Sequence, residues 1–281
     1  MKVSASIVLY KTAPHLLFEV IASFSPSAER KLFLVDNSPY KNTCIENLVS
    51  PYLEYIFSGE NKGYGAGNNI AIGRAIESGF DYHIVLNPDI RFSPSVIDKL
   101  VSFAEEHKEI GQIMPKIVNP TGDVQYLCKL IPTPFDLIFK RFLPNTLTAR
   151  RAKRFQLKFA NYDHIMDVPY LSGCFMFFRI AALKEVGLFD ERFFMYPEDI
   201  DITRRMHARF RTIYYPEVCV IHDHAAESYK STKMLKIHMI NMVRYFNKWG
   251  WFFDAERKKV NRETLSALGY KKQTTKAKKN E

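Results

Sequence analysis

Glu198-Asp199-Ile200-Asp201 sets three carboxylates within four positions, directly after the aromatic run Phe193-Phe194-Met195-Tyr196-Pro197. Acids this crowded repel one another, and folded chains keep them where a cation or a proton transfer uses them. The segment runs on as Ile202-Thr203-Arg204-Arg205 and reads as a turn entering a helix. Pro197 suits its first position, and Glu198 and Asp199 suit the positive end of the dipole. Acids also start helices for purely structural reasons, so a chemical role needs support from elsewhere in the chain. Ile221-His222-Asp223-His224 offers some: two histidines flanking an aspartate at a strand end suit a hard or borderline divalent ion. Asn87-Pro88-Asp89 reads equally as a strand-terminating turn. The glycine-rich stretch from Gly59 to Gly67 could cradle phosphate at a helix start. It has neither the dinucleotide-binding nor the P-loop spacing, which leaves a plain turn as its simpler reading.

The elements that would position these residues alternate. Strand patterns cover Val3 to Tyr10, Lys31 to Val35, Leu53 to Phe57 and Asp81 to Leu86, and helical patterns cover Ala13 to Phe24, Ile70 to Glu77 and Ser95 to His107. Such alternation predicts a parallel sheet with helices on both faces, with ligands bound beyond the carboxyl ends of the strands. Asp36, Asn61 and Asp89 each fall at such an end. Later strand patterns are Thr212 to Tyr215 and Val218 to Ile221.

At 281 residues, 47% hydrophobic and 25% charged, the chain has the make-up of a soluble globular protein with a sizeable core. The longest apolar stretch, Val168 to Leu183, is interrupted by Ser172, Gly173 and Arg179 and reads as a buried strand rather than a membrane span. The start of the chain has no signal-peptide pattern. Cys44, Cys128, Cys174 and Cys219 lack metal-ligand spacing and read as free thiols in the cytoplasm. The net charge of +10 is concentrated: seven Lys/Arg and no acid between Lys140 and Lys158, and five Lys with one Glu from Lys271 to Glu281. Basic residues confined to one insertion and one tail do not make a nucleic-acid-binding face.

Taken in order, seven pieces carry a resemblance: Ser6-Ile7-Val8-Leu9-Tyr10; Val35-Asp36-Asn37-Ser38; Asn61-Lys62-Gly63-Tyr64 with Asn69; Leu86-Asn87-Pro88-Asp89; Leu171-Ser172-Gly173-Cys174; Phe189-Asp190-Glu191 with Glu198-Asp199; and a late histidine. Over residues 3 to 225 the chain resembles family-two glycosyltransferases of the GT-A fold, in the rhamnosyltransferase-like branch of cell-surface polysaccharide assembly. That family's metal motif usually has two aspartates around one residue. Asn87-Pro88-Asp89 is a variant that leaves one carboxylate for the metal.

The resemblance implies an inverting transfer of a sugar, a deoxyhexose such as rhamnose, from a dTDP- or UDP-sugar to a glycan or lipid-linked acceptor. Asp199 would be the general base, with Glu198 and Asp201 orienting the acceptor or capping the helix. Asp36 would hold the nucleoside, with Tyr10, Asn61, Gly63, Asn69 and Asn87 completing the nucleotide pocket. Ser172 and Gly173 would form the floor beneath the donor sugar. Asp89, with His222 or His224, would hold magnesium or manganese.

Residues 1-225 are expected to form the catalytic domain, with a basic and apolar insertion at 127-160, and 226-281 a helical extension and basic tail. Met234 to Phe253 reads as a helix with Lys233, Lys236, Arg244, Asn247 and Lys248 on one side and Ile237, Met239, Ile240, Met242, Tyr245, Phe246 and Trp249 on the other. It would pack on the catalytic domain, or lie in a membrane interface with Trp249 and Trp251 at the headgroups. Two other functions compete. A sugar nucleotidyltransferase needs a glycine-rich loop with Arg or Lys after the first strand, which Tyr10-Lys11-Thr12-Ala13-Pro14 does not supply. A non-catalytic membrane- or nucleic-acid-binding protein leaves the acidic triplet unexplained.

Overall fold

The computed structural model describes residues 1–139, 143–223 and 232–271. Its strands are β1 (Val3–Leu9), β2 (Arg30–Asp36), β3 (Leu53–Phe57), β4 (Tyr82–Leu86), β5 (Ile90–Arg91), β6 (Ile110–Val118), β7 (Cys128–Lys129), β8 (Met166–Asp167), β9 (Tyr170–Leu171), β10 (Phe175–Arg179) and β11 (Arg211–His222). Its helices are α1 (Phe18–Phe24), α2 (Thr43–Glu46), α3 (Tyr64–Glu77), α4 (Ser95–Glu106), α5 (Pro134–Leu137), α6 (Asn145–Phe155), α7 (Ile180–Val186), α8 (Glu198–His207), α9 (Thr232–Trp249) and α10 (Ala255–Ala267).

One mixed sheet runs β3-β2-β1-β4-β10-β6-β11-β5, with β8 pairing to β11, and β7 and β9 form a separate ribbon. The first four strands are parallel. β10 is antiparallel to both its neighbours, which brings its N-terminal end beside the C-terminal end of β4. Side-chain alternation along the strands sorts the core into two layers. Leu32, Leu34, Ile84 and Leu86 face α1 and α4, while Phe33, Val35 and Val85 face α3, α7 and α8. Under α3, a buried polar network joins Ser4 and Ser6 to His83, and Ser6 donates to Asn68 Oδ1 at 2.7 Å. Burial pulls the His83 pKa down to about 3, so the imidazole stays neutral there.

Several sequence expectations are corrected. The Gly59–Gly67 stretch is not a loop throughout: α3 starts at Tyr64, six residues before the expected start at Ile70. Gly67 lies inside the helix because a Cβ there would reach Val8 at 2.8 Å, so the glycine lets α3 close on β1. Val168 to Leu183 is not one strand but two short ones followed by α7, broken at Ser172-Gly173. The two late strand patterns form one strand, β11, with a register shift between Tyr215 and Cys219. Pro197 is the residue before α8 rather than its first. All four cysteines are free.

Helix α9 packs on the protein itself. Met242, Tyr245 and Phe246 are buried with Tyr170, Phe193 and Ile200. Trp249 does not reach outward to a headgroup layer: it donates to Asp201 Oδ1 at 2.7 Å and lies under the Arg204 guanidinium. Arg204 in turn forms a buried two-pronged ion pair with Asp254, at 2.8 and 2.9 Å, ahead of α10. Among the described residues no helix is long and apolar enough to cross a membrane. Lys140, Arg141, His224, the Lys233 side chain and the basic tail beyond Lys271 lie outside the described residues.

Candidate active site

Parallel pairing delivers the donor-side residues to one edge. Asp36 is the last residue of β2, opposite Leu9 of β1, and Asn87-Pro88-Asp89 follows β4. Asp36 is buried, its Oδ1 accepting from Ser38 N–H at 2.9 Å and its Oδ2 from the Tyr55 hydroxyl at 2.6 Å. Burial and this hydrogen bond push the Tyr55 pKa up to about 12, so the phenol stays a donor. Asn37 reaches across to Gly63 O at 2.9 Å. Asn61 turns the chain by accepting from Gly63 N–H at 3.1 Å. At Gly63 φ is +88°, and a Cβ would meet Phe194 O at 2.2 Å, a fit open only to glycine. Tyr10 is half exposed at the mouth, beyond β1. Asn69 turns elsewhere: its amide is taken by Phe189 N–H and O and by Glu191, tying α3 to the segment ahead of α8.

The metal candidates meet where β11 lies antiparallel to β5, His222 opposite Ile90. Gln125 Nε2 donates to His222 O at 2.8 Å, which turns Gln125 Oε1 toward His222 Nδ1 at 3.0 Å. The proton therefore sits on Nδ1, and the Nε2 lone pair points at Asp89 Oδ1, 3.4 Å away. That oxygen is buried and receives no hydrogen bond among the described residues. A carboxylate oxygen and an imidazole lone pair facing each other is an arrangement that a divalent cation resolves. The residues present thus fit a metal, though with two protein donors only: no set of three or more His, Cys, Asp or Glu comes together among the described residues. His224 falls outside them.

The base side is assembled by β9, β10 and α8. Asp199 Oδ2 accepts from Gly173 N–H at 3.1 Å and from the Tyr170 hydroxyl at 3.3 Å. Lys129 lies over the Tyr170 ring at 4.7 Å and donates to its hydroxyl at 3.4 Å. Glu198 is buried beside Asp199, and its Oε2 has no hydrogen-bond partner among the described residues. Burial raises both carboxyls, and the Asp199 charge raises Glu198 further. Lys129, the Gly173 and Ile200 N–H groups and Tyr170 pull Asp199 back down. Asp199 therefore carries the charge, and Glu198 keeps its proton. Asp201 takes no part and cannot orient an acceptor: it is fully buried and held by Arg205, Lys248 and Trp249.

The two sides are joined. The Tyr64 hydroxyl lies 2.8 Å from Gly173 O and 3.1 Å from Asn87 Oδ1, and Asn87 Nδ2 is 3.5 Å from His222 Nε2. Gly173 stands between the two sides, its N–H donating to Asp199 Oδ2 and its carbonyl accepting from the Tyr64 hydroxyl, and Ser172 precedes it. Sequence reasoning missed Gln125, Lys129 and Tyr170. They lie in stretches without periodicity, and only the β7–β9 ribbon brings the latter two together.

Residues 45–248 match the family model described as Glycosyltransferase like family 2. The chain is similar to the N-acetylglucosaminyl-diphospho-decaprenol L-rhamnosyltransferase of Mycobacterium tuberculosis, 31% identical over 236 residues that cover 78% of this chain and 75% of that protein. It is also similar to the rhamnosyltransferase WbbL of Escherichia coli, 28% identical over 69% of this chain and 73% of that protein. Two crystal structures share its fold at low identity. TarS of S. aureus has a TM-score of 0.58 and 15% identity, and covers 94% of this chain. GalNAc-T7, crystallised with UDP, GalNAc and Mn2+, has a TM-score of 0.61 and 14% identity, and covers 92% of it. This chain spans 43% and 49% of the lengths of those two.

Proposed function

Because the chain belongs to glycosyltransferase-like family 2 and so transfers a sugar, we propose an inverting, metal-dependent rhamnosyltransferase of cell-surface polysaccharide synthesis. The donor is a dTDP- or UDP-linked deoxyhexose, and the acceptor is a hydroxyl of a glycan or lipid-linked glycan. The rhamnosyltransferase relatives support this donor class. The observation that carries the chemistry is the polar path from the half-buried Asp199 carboxylate, through Gly173, Tyr64 and Asn87, to the Asp89–His222 pair. It links a charged base and a cation-binding corner along one sheet edge.

Transfer with inversion is a single displacement through an oxocarbenium-like transition state. Asp199 takes the acceptor proton as the new bond to the anomeric carbon forms and the bond to the diphosphate oxygen breaks. Asp36, fixed by Tyr55 and Ser38, holds the nucleoside. Asp89 and His222 Nε2 would hold magnesium or manganese, which when bound neutralises charge on the departing diphosphate. The enzyme works on the cytoplasmic side with peripheral contact on the membrane, and binds no nucleic acid.

A nucleotide-sugar panel tests the reading, scored for transfer or slow hydrolysis with manganese and with chelator. Turnover is expected with a deoxyhexose donor and only with the metal. Equal nucleoside diphosphate affinity with and without chelator, measured by calorimetry, would instead make the enzyme metal-independent.

A further inference from the structure

Away from the site, a groove of about 760 Å³ opens between α5, α6 and α10. None of Asp36, Asp89, Glu198, Asp199 or His222 lines it, and no side chain lining it is acidic. Two of its arginines are neutralised, Arg151 by Asp136 and Arg257 by Asp254. Arg154, Lys258 and Arg262 remain exposed, with no acidic partner among the described residues. Large apolar side chains stand at the same place: Phe139 is 46% exposed and Phe252 64%, and neighbouring Phe253 is 92% exposed. Soluble surfaces seldom leave such rings in water beside cations. Tyr270, also in the lining, is followed in sequence by the five lysines of the C-terminal segment.

We propose that this groove and its phenylalanine rim dock the enzyme on an anionic lipid bilayer. The cations would meet lipid phosphates while Phe139, Phe252 and Phe253 enter the headgroup layer. Charge selects the partner: a surface whose unpaired charges are all positive does not fit a second copy of itself. The protruding rings favour a surface with an apolar interior over a soluble polyanion. The groove lies on the module that carries the base: Trp251 in its lining packs on Phe246, which shares an apolar cluster with Tyr170. Docking here would hold the acceptor side near the membrane, an orientation that rests on the lipid-linked acceptor proposed above.

The test is co-sedimentation of the full chain with vesicles of phosphatidylcholine alone or with added phosphatidylglycerol, at low and high salt. Wild type should pellet only with the anionic vesicles, and salt should release it. Each basic side chain near such a surface is worth roughly a fivefold change in partitioning. Lys258→Glu with Arg262→Glu should therefore weaken binding about 25-fold or more, whereas Lys258→Arg with Arg262→Lys should keep it. Phe252→Ser with Phe253→Ser should weaken vesicle binding without changing retention on heparin. Circular dichroism and turnover on a soluble acceptor should match wild type in every variant, which separates this proposal from that of the enzyme's function. Equal pelleting with neutral vesicles, none with anionic ones, or no loss in the charge-reversed variant would overturn the proposal. So would heparin binding that exceeds vesicle binding and ignores the phenylalanines.

Discussion

From Asp36 to Asp89 the donor side is made by consecutive parallel strands, each delivering a polar residue where its ladder ends, whereas the base side draws Lys129, Tyr170, Gly173 and Asp199 from distant segments. On the donor side, backbone pairing does most of the positioning, and the Asp36 carboxylate is held by the Ser38 N–H and the Tyr55 hydroxyl. On the base side two adjacent carboxylates compete, one buried and one half-buried, and one lysine, one phenol and two backbone N–H groups decide which is ionised. Topology sets the first region and packing the second. Damage to the donor side should therefore appear as lost binding, and damage to the base side as lost turnover, altered pH dependence or lost stability.

The strongest break in that contrast is Asp199→Asn. Turnover should fall by about two to four orders of magnitude while donor affinity by calorimetry stays near wild type. If Glu198→Gln causes that loss instead, the base is one residue earlier. Asp254→Ala comes next. It leaves Arg204 buried with only Glu256 as its acidic partner, and should lower the stability read by urea unfolding by about 3 kcal/mol. Nucleoside diphosphate affinity of the folded variant should be unchanged, because the loss lies between α8 and α10.

Gln125→Leu probes the donor side at one remove. Without the acceptor that holds the His222 proton on Nδ1, metal affinity should drop roughly 10- to 100-fold, read as the manganese concentration that supports half-maximal donor binding. Unchanged manganese dependence would show that His222 is not a ligand. The smallest effect is expected from Lys129→Met. Lys129 favours the ionised form of Asp199, so its loss should move the acid limb of the turnover profile to higher pH and leave the alkaline plateau in place. The groups facing Asp199 besides Lys129 are Glu198, Tyr170, Tyr64 and Cys174. With Glu198 neutral, Glu198→Gln should leave the acid limb where it is. It should also raise thermal stability between the ordinary carboxylate range and neutral pH, and not below it, because a carboxyl raised by burial costs stability once the unfolded chain would ionise it.

Strand alternation with polar residues at strand ends was legible without coordinates, because pairing and period act locally along the chain. It placed β1 to β4, the edge that carries Asp36 and Asp89, and the acidic start of α8. The start of α3 was misread because glycines read as loop residues, and only the approach of Val8 explains Gly67 within a helix. Asp201 could not be told from Asp199 by spacing. Two residues apart at a helix start, they point to different surroundings, and only the docking of α9 adds Lys248 and Trp249 to the Arg205 of its own helix as partners of Asp201. Lys129, Tyr170 and Gln125 carry no local signal, since their roles come from the β7–β9 ribbon and from contact with β11. The sequence by itself determined which chemical groups stand at the ends of the strands. Tertiary structure decided which of two neighbouring carboxylates holds the charge, because burial and the reach of a distant lysine set that balance.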